Sequence, residues 1–156
     1  MANPIVVEIV DLPALAEFAQ RFAALLPRGT VVALNGTLGA GKTRFVQAVA
    51  AAVGIDPAEV MSPTFVLCRE YRAPQFTIYH ADTYRLRNED EFLQLGPEEW
   101  FEADGWVFLE WAERVANCLP ESYVALEIEV TGETSRRLTL RAIGEKYQPL
   151  LAALRE

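Results

Sequence analysis

Positively charged residues are scarce in this 156-residue chain. Lysine and arginine together number 14 against 22 acidic residues, which gives a formal net charge of −8. Tight binding of nucleic acid depends on neutralising phosphates with these two residue types, so the balance argues against direct binding of RNA or DNA. Arg69 with Arg72, or Arg85 with Arg87, could form a local basic patch, although solvated surface charge is the simpler interpretation. If RNA matters to this protein, we expect a partner to hold it.

Cysteine, histidine and long apolar runs are also scarce. Cys68 and Cys118 lie far apart without metal-type spacing, so neither a zinc site nor a disulfide framework is indicated. The single histidine, His80, has no second metal-type ligand nearby and is expected to be a hydrogen-bonded core residue rather than a catalyst. No stretch approaches the roughly 20 apolar residues of a membrane span, and residues 1–4 carry no signal-type apolar core. We therefore expect a cytoplasmic protein, with residues 1–156 forming one domain.

The most informative segment is a glycine-rich run from Gly36 to Thr43. It fits the pattern G-x-x-x-x-G-K-[ST], the P-loop that wraps the phosphates of ATP or GTP. Its glycines permit the tight and positive-φ conformations that turn successive N–H groups inward. The Lys42 ammonium suits the β- and γ-phosphates, and the Thr43 hydroxyl is a hard oxygen ligand for magnesium. The loop residues predicted to bind nucleotide are Thr37, Leu38, Gly39, Ala40, Gly41, Lys42 and Thr43.

The flanks of this loop have the required order. Residues 30–35 form a short apolar run that predicts a buried strand ending at the loop. Residues 43–53 carry apolar side chains at helical spacing, and Gly54 stands where a C-cap glycine belongs. A glycine-rich turn without a ligand is the alternative, but strand, loop and helix in this order favour binding of a nucleoside triphosphate.

The rest of the chain predicts an α/β fold, a P-loop NTPase-like domain with a mixed parallel and antiparallel sheet flanked by helices. Four residues are too few for a parallel crossover between strands 65–71 and 76–81, so these should form an antiparallel hairpin. Further predicted strands are 4–10, 106–110, 123–130 and 137–142, the last two forming a second hairpin. Predicted helices are 88–95, 98–103, 147–154 and one capped by Asp11 that runs to about residue 26, with Leu12, Leu15, Phe18, Phe22 and Leu25 on one face.

Nucleotide hydrolysis also needs a carboxylate near the metal and a group that orients water or an acceptor. Glu110 is the best candidate, since it ends an apolar strand and nucleotide sites lie beyond the carboxyl ends of such strands. Asp82 follows another strand, but a turn or capping role explains it equally well. Thr64, in the sequence Ser62-Pro63-Thr64, stands where nucleotide switches place a hydroxyl that reaches the metal, although an ordinary turn is the simpler reading. Trp111 could cover the site or pack in the core.

Four blocks in order resemble the TsaE family, formerly YjeE, the small ATPase of bacterial tRNA threonylcarbamoyladenosine biosynthesis. They are the P-loop block at 36–43, Ser-Pro-Thr-Phe at 62–65, His-x-Asp-x-Tyr-Arg-Leu at 80–86 and Leu-Glu-Trp at 109–111. The P-loop alone is common to many NTPases, whereas all four blocks at these intervals are specific. The resemblance runs from about residue 10 to about residue 142. It departs from the family at Thr37, where Asp or Asn is frequent.

The resemblance implies a protein that binds ATP and magnesium, hydrolyses ATP slowly alone, and works with TsaB and TsaD in modifying tRNA. By similarity, Lys42 contacts phosphates, Thr43 and Glu110 hold magnesium, and Asp82 acts at the catalytic centre. Trp111 belongs to the same site, and Ser62 and Thr64 match the switch-like segment. It also implies an adenine pocket near Asp11, Leu12, Ser135 and Arg136.

Other readings of the P-loop remain at this stage. A small-molecule kinase needs an arginine-bearing lid, and the acidic segment 88–103 contains no arginine. A regulatory GTPase is disfavoured because the guanine-reading Asn-Lys-x-Asp string is absent. A nucleotide-gated binding module, whose ATP turnover resets a complex, cannot be separated from a catalytic subunit by sequence.

Overall fold

The computed structural model describes residues 4–156, which form one seven-stranded mixed sheet with helices on both faces. The strand order is β1-β7-β6-β2-β5-β4-β3. Its four inner strands β6, β2, β5 and β4 run parallel, while β3, β7 and β1 pair antiparallel with their neighbours. The strands are β1 Ile5–Ile9, β2 Thr30–Asn35, β3 Cys68–Arg72, β4 Thr77–Asp82, β5 Trp106–Glu110, β6 Tyr123–Val130 and β7 Arg136–Ile143. This arrangement confirms the predicted mixed sheet and both hairpins.

The helices divide into two layers. The helices are α1 Leu12–Leu25, α2 Lys42–Ala52, α3 Glu89–Leu93, α4 Pro97–Glu102 and α5 Gln148–Leu154. Three short 3-10 segments lie at Pro57–Glu59, Ala112–Cys118 and Glu145–Tyr147. Helices α1, α2 and α5 contribute to the larger apolar cluster, while α3 and the segment 112–118 contribute to a smaller one with partly buried α4 residues against it. Successive strand residues point to opposite faces, so Val32 and Leu34 of β2 join the first cluster and Ala33 joins the second.

Helix α1 begins as predicted but buries less of its length. The Asp11 carboxylate accepts a hydrogen bond from Ala14 N at 2.9 Å and so caps the helix. Phe22 is fully buried on the predicted face, with its ring centroid 5.5 Å from that of Phe45 on α2. Leu12 and Leu25, expected on the same face, are 56% and 40% exposed. They are the first and last helical residues, so they lie at the ends of the packed stretch.

The predicted strand at 65–71 is wrong in its first three residues. Leu67 N donates to Pro63 O at 2.6 Å, which closes a turn, and Leu67 has a φ of +70°. The strand therefore begins only at Cys68. Phe65, whose aromatic side chain favoured a strand, is 82% exposed on this turn. A tertiary contact outweighs β-propensity here, because the turn brings the Thr64 hydroxyl into hydrogen-bond distance of Asp82 at the end of β4.

Candidate nucleotide site

The P-loop, residues 36–43, connects the end of β2 to the start of α2. A Cβ on Gly36 would lie 2.7 Å from the backbone oxygen of Ile128, so only glycine fits there without a shift of backbone. Gly41 caps α2 with a φ of +110°. Phe45 N donates to Gly41 O at 2.9 Å in the first turn of the helix. The N–H groups of the three preceding helical residues thus lie at the positive end of the helix dipole, an arrangement that suits phosphate.

The Lys42 side chain is folded back onto the loop. Its Nζ donates to Gly36 O at 2.7 Å and to Thr37 O at 3.1 Å. The same Nζ lies 3.9 Å from the centroid of the Trp111 ring, a cation–π contact. Burial lowers the pKa of Lys42, and the neighbouring carboxylates oppose that shift; they are Glu110, Glu113 and Asp82. The ammonium is thus held at the mouth of the loop beside several acidic groups.

Glu110 ends β5 and contacts the first turn of α2, the helix that follows the P-loop. Its Oε2 accepts a hydrogen bond from the Thr43 hydroxyl at 2.9 Å, and the residue is only 3% exposed. A hydroxyl and a carboxylate are hard oxygen donors, which suit Mg²⁺. Among residues 4–156 there is no group of three His, Cys, Asp or Glu side chains arranged to hold a metal. The pair therefore fits a magnesium ion that takes its remaining ligands from phosphate and water, as Mg²⁺ commonly does.

Asp82 lies beside Glu110 because their strands are parallel and in register. Asp82 of β4 is the register partner of Glu110 of β5. Its Oδ2 accepts from the Thr64 hydroxyl at 3.1 Å, and its Oδ1 accepts from Tyr84 N at 2.7 Å. Burial raises the pKa of Asp82; the Tyr84 hydrogen bond opposes this shift, and the nearby charge of Glu110 adds to it. Asp82 therefore both caps a turn and stands in the acidic centre.

Two cavities meet at the P-loop. The first, of about 430 Å³, has Lys42, Thr43, Asp82, Glu110 and Trp111 in its wall. Leu38, Gly39 and Thr64 also line it, together with Gly41, Arg44, Ser62, Phe65, Tyr84 and Arg85. The structure thus brings most of the predicted phosphate, metal and switch residues together in one space, but Thr37 and Ala40 are not in its wall.

The second cavity, of about 530 Å³, lies on the other side of the loop. Gly39, Ala40 and Gly41 form one wall, and apolar side chains of β1, α1, α2, β6 and β7 form much of the rest. Asp11, Leu12 and Arg136, all predicted near adenine, line this space. Ser135 is not in its wall and lies in the β6–β7 turn, where its hydroxyl accepts from Thr131 at 2.9 Å. A concave, largely apolar space adjoining a phosphate loop suits a nucleobase.

Arg136 connects this second cavity to the P-loop. Its Nε donates to Ala40 O at 2.9 Å. Another guanidinium nitrogen donates to Gly132 O at 3.1 Å and to Ser135 O at 2.8 Å. One planar side chain therefore ties the hairpin turn to the loop backbone, which gives Arg136 a positioning role that its predicted place near adenine did not suggest.

Sequence reasoning missed two residues behind the acidic centre. His80 is fully buried, and its Nε2 hydrogen-bonds Glu110 Oε2. Its Nδ1 lies 3.1 Å from the hydroxyl of Tyr71. The expectation of a hydrogen-bonded core histidine is confirmed, but its partner is the site carboxylate itself. The spacing held a signal, because residues 80 and 82 of one strand point to the same face.

Comparison with known protein families matches residues 10–138 to the model described as "Threonylcarbamoyl adenosine biosynthesis protein TsaE". The chain belongs to the TsaE family. It is 38% identical over 136 residues to the Bacillus subtilis protein named "tRNA threonylcarbamoyladenosine biosynthesis protein TsaE", covering 87% of this chain and 84% of that protein. A Treponema pallidum protein of the same name is 41% identical over 116 residues, covering 74% of this chain and 84% of that protein.

Structural comparison agrees with this membership. The crystal structure of Bacillus subtilis YdiB superposes with a TM-score of 0.81 at 29% identity, covering 99% of this chain and 96% of that chain. The match supports an α/β P-loop NTPase-like fold for this chain. No helix within residues 4–156 has the length and apolar character needed to cross a membrane.

Proposed function

We propose that this protein is a magnesium-dependent ATPase that serves in the biosynthesis of threonylcarbamoyladenosine in tRNA, acting with TsaB and TsaD. The pathway follows from the family to which the chain belongs and from the names of its relatives. The assignment of ATPase activity is supported by the hydrogen bond between the Thr43 hydroxyl, at the end of the P-loop, and the Glu110 carboxylate. The acidic composition supports an indirect relation to tRNA, with a partner holding the RNA.

Each residue of the centre takes a distinct role in this proposal. Lys42 exchanges its carbonyl partners for the β- and γ-phosphates, and the N–H groups of the loop surround the same oxygens. Thr43 and Glu110 hold magnesium, which when bound neutralises charge on the phosphates. Asp82, one strand away, accepts a proton from water or orients it, with Thr64 fixed by its carboxylate. Trp111 covers the ammonium of Lys42 and limits access of solvent.

The second cavity takes the base of the nucleotide in this proposal. Its apolar lining suits an adenine ring, and Asp11, Leu12 and Arg136 form part of its wall. Ser135 supports the site from the hairpin turn rather than through its side chain, because its carbonyl accepts from Arg136.

Binding and turnover measurements test the proposal. ATP affinity is measured with and without magnesium, and hydrolysis by release of phosphate, for Lys42→Ala, Thr43→Ala and Glu110→Gln. Lys42→Ala should weaken ATP binding at least about tenfold, since a hydrogen bond to a charged group contributes about 1.5–3 kcal/mol. Glu110→Gln should keep nucleotide binding while losing magnesium dependence and on the order of 100-fold in turnover, because metal stabilisation is worth several kcal/mol.

Glu113→Gln provides the matched control for Glu110→Gln. Glu113 is an exposed carboxylate that also acts on Lys42 through its charge, but it does not line either cavity. Its variant should hydrolyse ATP almost as the wild type does. Wild-type binding and turnover in both the Lys42 and Thr43 variants would reject the ATPase assignment.

A further inference from the structure

His80 makes a hydrogen bond from each ring nitrogen in a site closed to solvent. Nε2 contacts Glu110 Oε2, and Nδ1 lies 3.1 Å from the Tyr71 hydroxyl. His80 is 0% exposed, and it lies on β4 between the strands that carry these two partners. An apolar side chain would fill such a space without the cost of burying polar atoms. Packing alone therefore does not explain why a histidine stands at this position.

One of these two hydrogen bonds, that of Nε2, reaches the site carboxylate at its Oε2 atom. An ionised carboxylate can only accept, so His80 Nε2 is the donor to Glu110. Oε2 also accepts from the Thr43 hydroxyl, and neither of these two bonds uses Oε1. Two donors that converge on one oxygen restrict the rotation of the carboxylate, and they leave the other oxygen for magnesium or its water.

The same chain of hydrogen bonds continues to the switch segment, residues 61–65. The Tyr71 hydroxyl lies 3.2 Å from Met61 O and accepts from Met61 N at 3.4 Å. Thr64, three residues further along, hydrogen-bonds Asp82. The segment is therefore attached to the acidic centre at both positions, through Tyr71 and His80 at its base and through Thr64 near its tip.

We infer that His80 and Tyr71 are positioning residues that set the orientation of Glu110 for magnesium and couple it to the backbone of the switch segment at Met61. The inference rests on the ATPase function proposed above and concerns how its metal carboxylate is held. Partners of metal-binding carboxylates commonly influence metal affinity or activity by about 10–100-fold. Movement of the segment would reach Glu110 through Tyr71 and His80 without any direct contact between segment and metal.

The test uses the full chain and four variants. His80→Leu removes both hydrogen bonds, and His80→Gln restores an amide donor near the position of Nε2. Tyr71→Phe removes one hydroxyl only. Tyr79→Phe is the matched control, since the same change is made on β4 at a residue whose side chain points away from the His80 face. Folding is checked by thermal unfolding, nucleotide affinity is measured in EDTA, and ATP turnover is measured across a magnesium titration to separate kcat from KM.

We expect His80→Leu to raise the magnesium concentration for half-maximal turnover, or to lower kcat, by about 10–100-fold. Magnesium-free nucleotide affinity should stay at the wild-type value. His80→Gln should recover most of the loss, Tyr71→Phe should show a smaller loss, and Tyr79→Phe none. If His80→Leu does not fold, two other results test the positioning role. Tyr71→Phe should lose magnesium-dependent turnover relative to Tyr79→Phe, and His80→Gln should stay close to the wild type.

Wild-type magnesium dependence and kcat in folded His80→Leu and Tyr71→Phe would overturn the positioning role while leaving the ATPase function intact. An equal loss of magnesium-free nucleotide affinity would also overturn it, because that result indicates general damage to the site. A wild-type protein without magnesium-dependent turnover would overturn the proposed function and, with it, this inference.

Discussion

Replacing Gly36 with alanine should damage the site through the backbone alone. The new Cβ would lie 2.7 Å from Ile128 O and 3.2 Å from the Ala40 Cβ. Ile128 lies within β6, where it is the register partner of Leu138 of β7, and the preceding residue is paired with the end of β2. Because the obstacle is a carbonyl inside the sheet, no side-chain rotation relieves the contact. The P-loop must move away from β6.

The size of the effect follows from this geometry. Forcing an extra carbon into a packed site typically costs about 1–3 kcal/mol. For a domain of this length each kcal/mol lowers Tm by roughly 2–4 °C, so a fall of about 2–12 °C is expected. Misplacement by about 1 Å can cost on the order of 100-fold in rate, so ATP turnover should fall by at least about tenfold.

Gly54→Ala is the control for backbone strain. Gly54 follows α2 with a φ of +89°, and a Cβ there would meet nothing within 4 Å. Its variant should lose some stability from the left-handed conformation but should bind and hydrolyse ATP normally. Thermal unfolding and phosphate release are measured for both variants. Normal turnover in Gly36→Ala, with a Tm equal to that of Gly54→Ala, would refute the close contact between loop and sheet.

Three further experiments test the hairpin turn, the Cys68 environment and the α1–α2 core. Arg136→Met should weaken ATP binding by loosening the Ala40 side of the loop, whereas Arg137→Met, which removes an exposed ion pair with Glu8, should not. Equal affinities of the two variants by titration calorimetry would contradict the positioning role of Arg136. Burial raises the pKa of Cys68 to about 12, so at pH 8 only about one thiol in 10⁴ is thiolate, and iodoacetamide should modify it rapidly only after unfolding in urea. Rapid native labelling, located by mass spectrometry, would contradict that environment. Phe22→Ala should cost about 3–5 kcal/mol in urea unfolding. Leu25→Ala, at a residue 40% exposed, should cost far less, and similar losses would count against the α1–α2 core.

The sequence predicted the elements around the P-loop well because local signals decide them. The strand at 30–35, the helix after the loop and the strand ending at Glu110 all match, since apolar runs, a C-cap glycine and a terminal carboxylate are features of nearby residues. The pairing of Asp82 with Glu110 depends instead on which strands are neighbours and in what register. Strand order is set by packing across the whole chain, so the sequence alone left Asp82 open between a capping and a functional role.

Contacts between distant segments were the other part that the sequence could not reveal. Arg136 donates to Ala40, 96 residues away. Nothing in the spacing of an arginine indicates such a partner. Phe65 shows a different kind of error. Its aromatic side chain favours a strand, but in the structure it lies exposed on a turn. Family resemblance predicted the site residues, but it gave no distances between them.

We propose that the Thr43–Glu110 centre supports tRNA modification through ATP. The most direct measurement is the amount of threonylcarbamoyladenosine in bulk tRNA, determined by mass spectrometry after the protein is depleted in its own host. We predict that depletion lowers this nucleoside, that wild-type protein restores it, and that Glu110→Gln does not although Glu113→Gln does. An undiminished level after depletion would contradict the role in tRNA modification, and full restoration by Glu110→Gln would contradict the role of Glu110 in it.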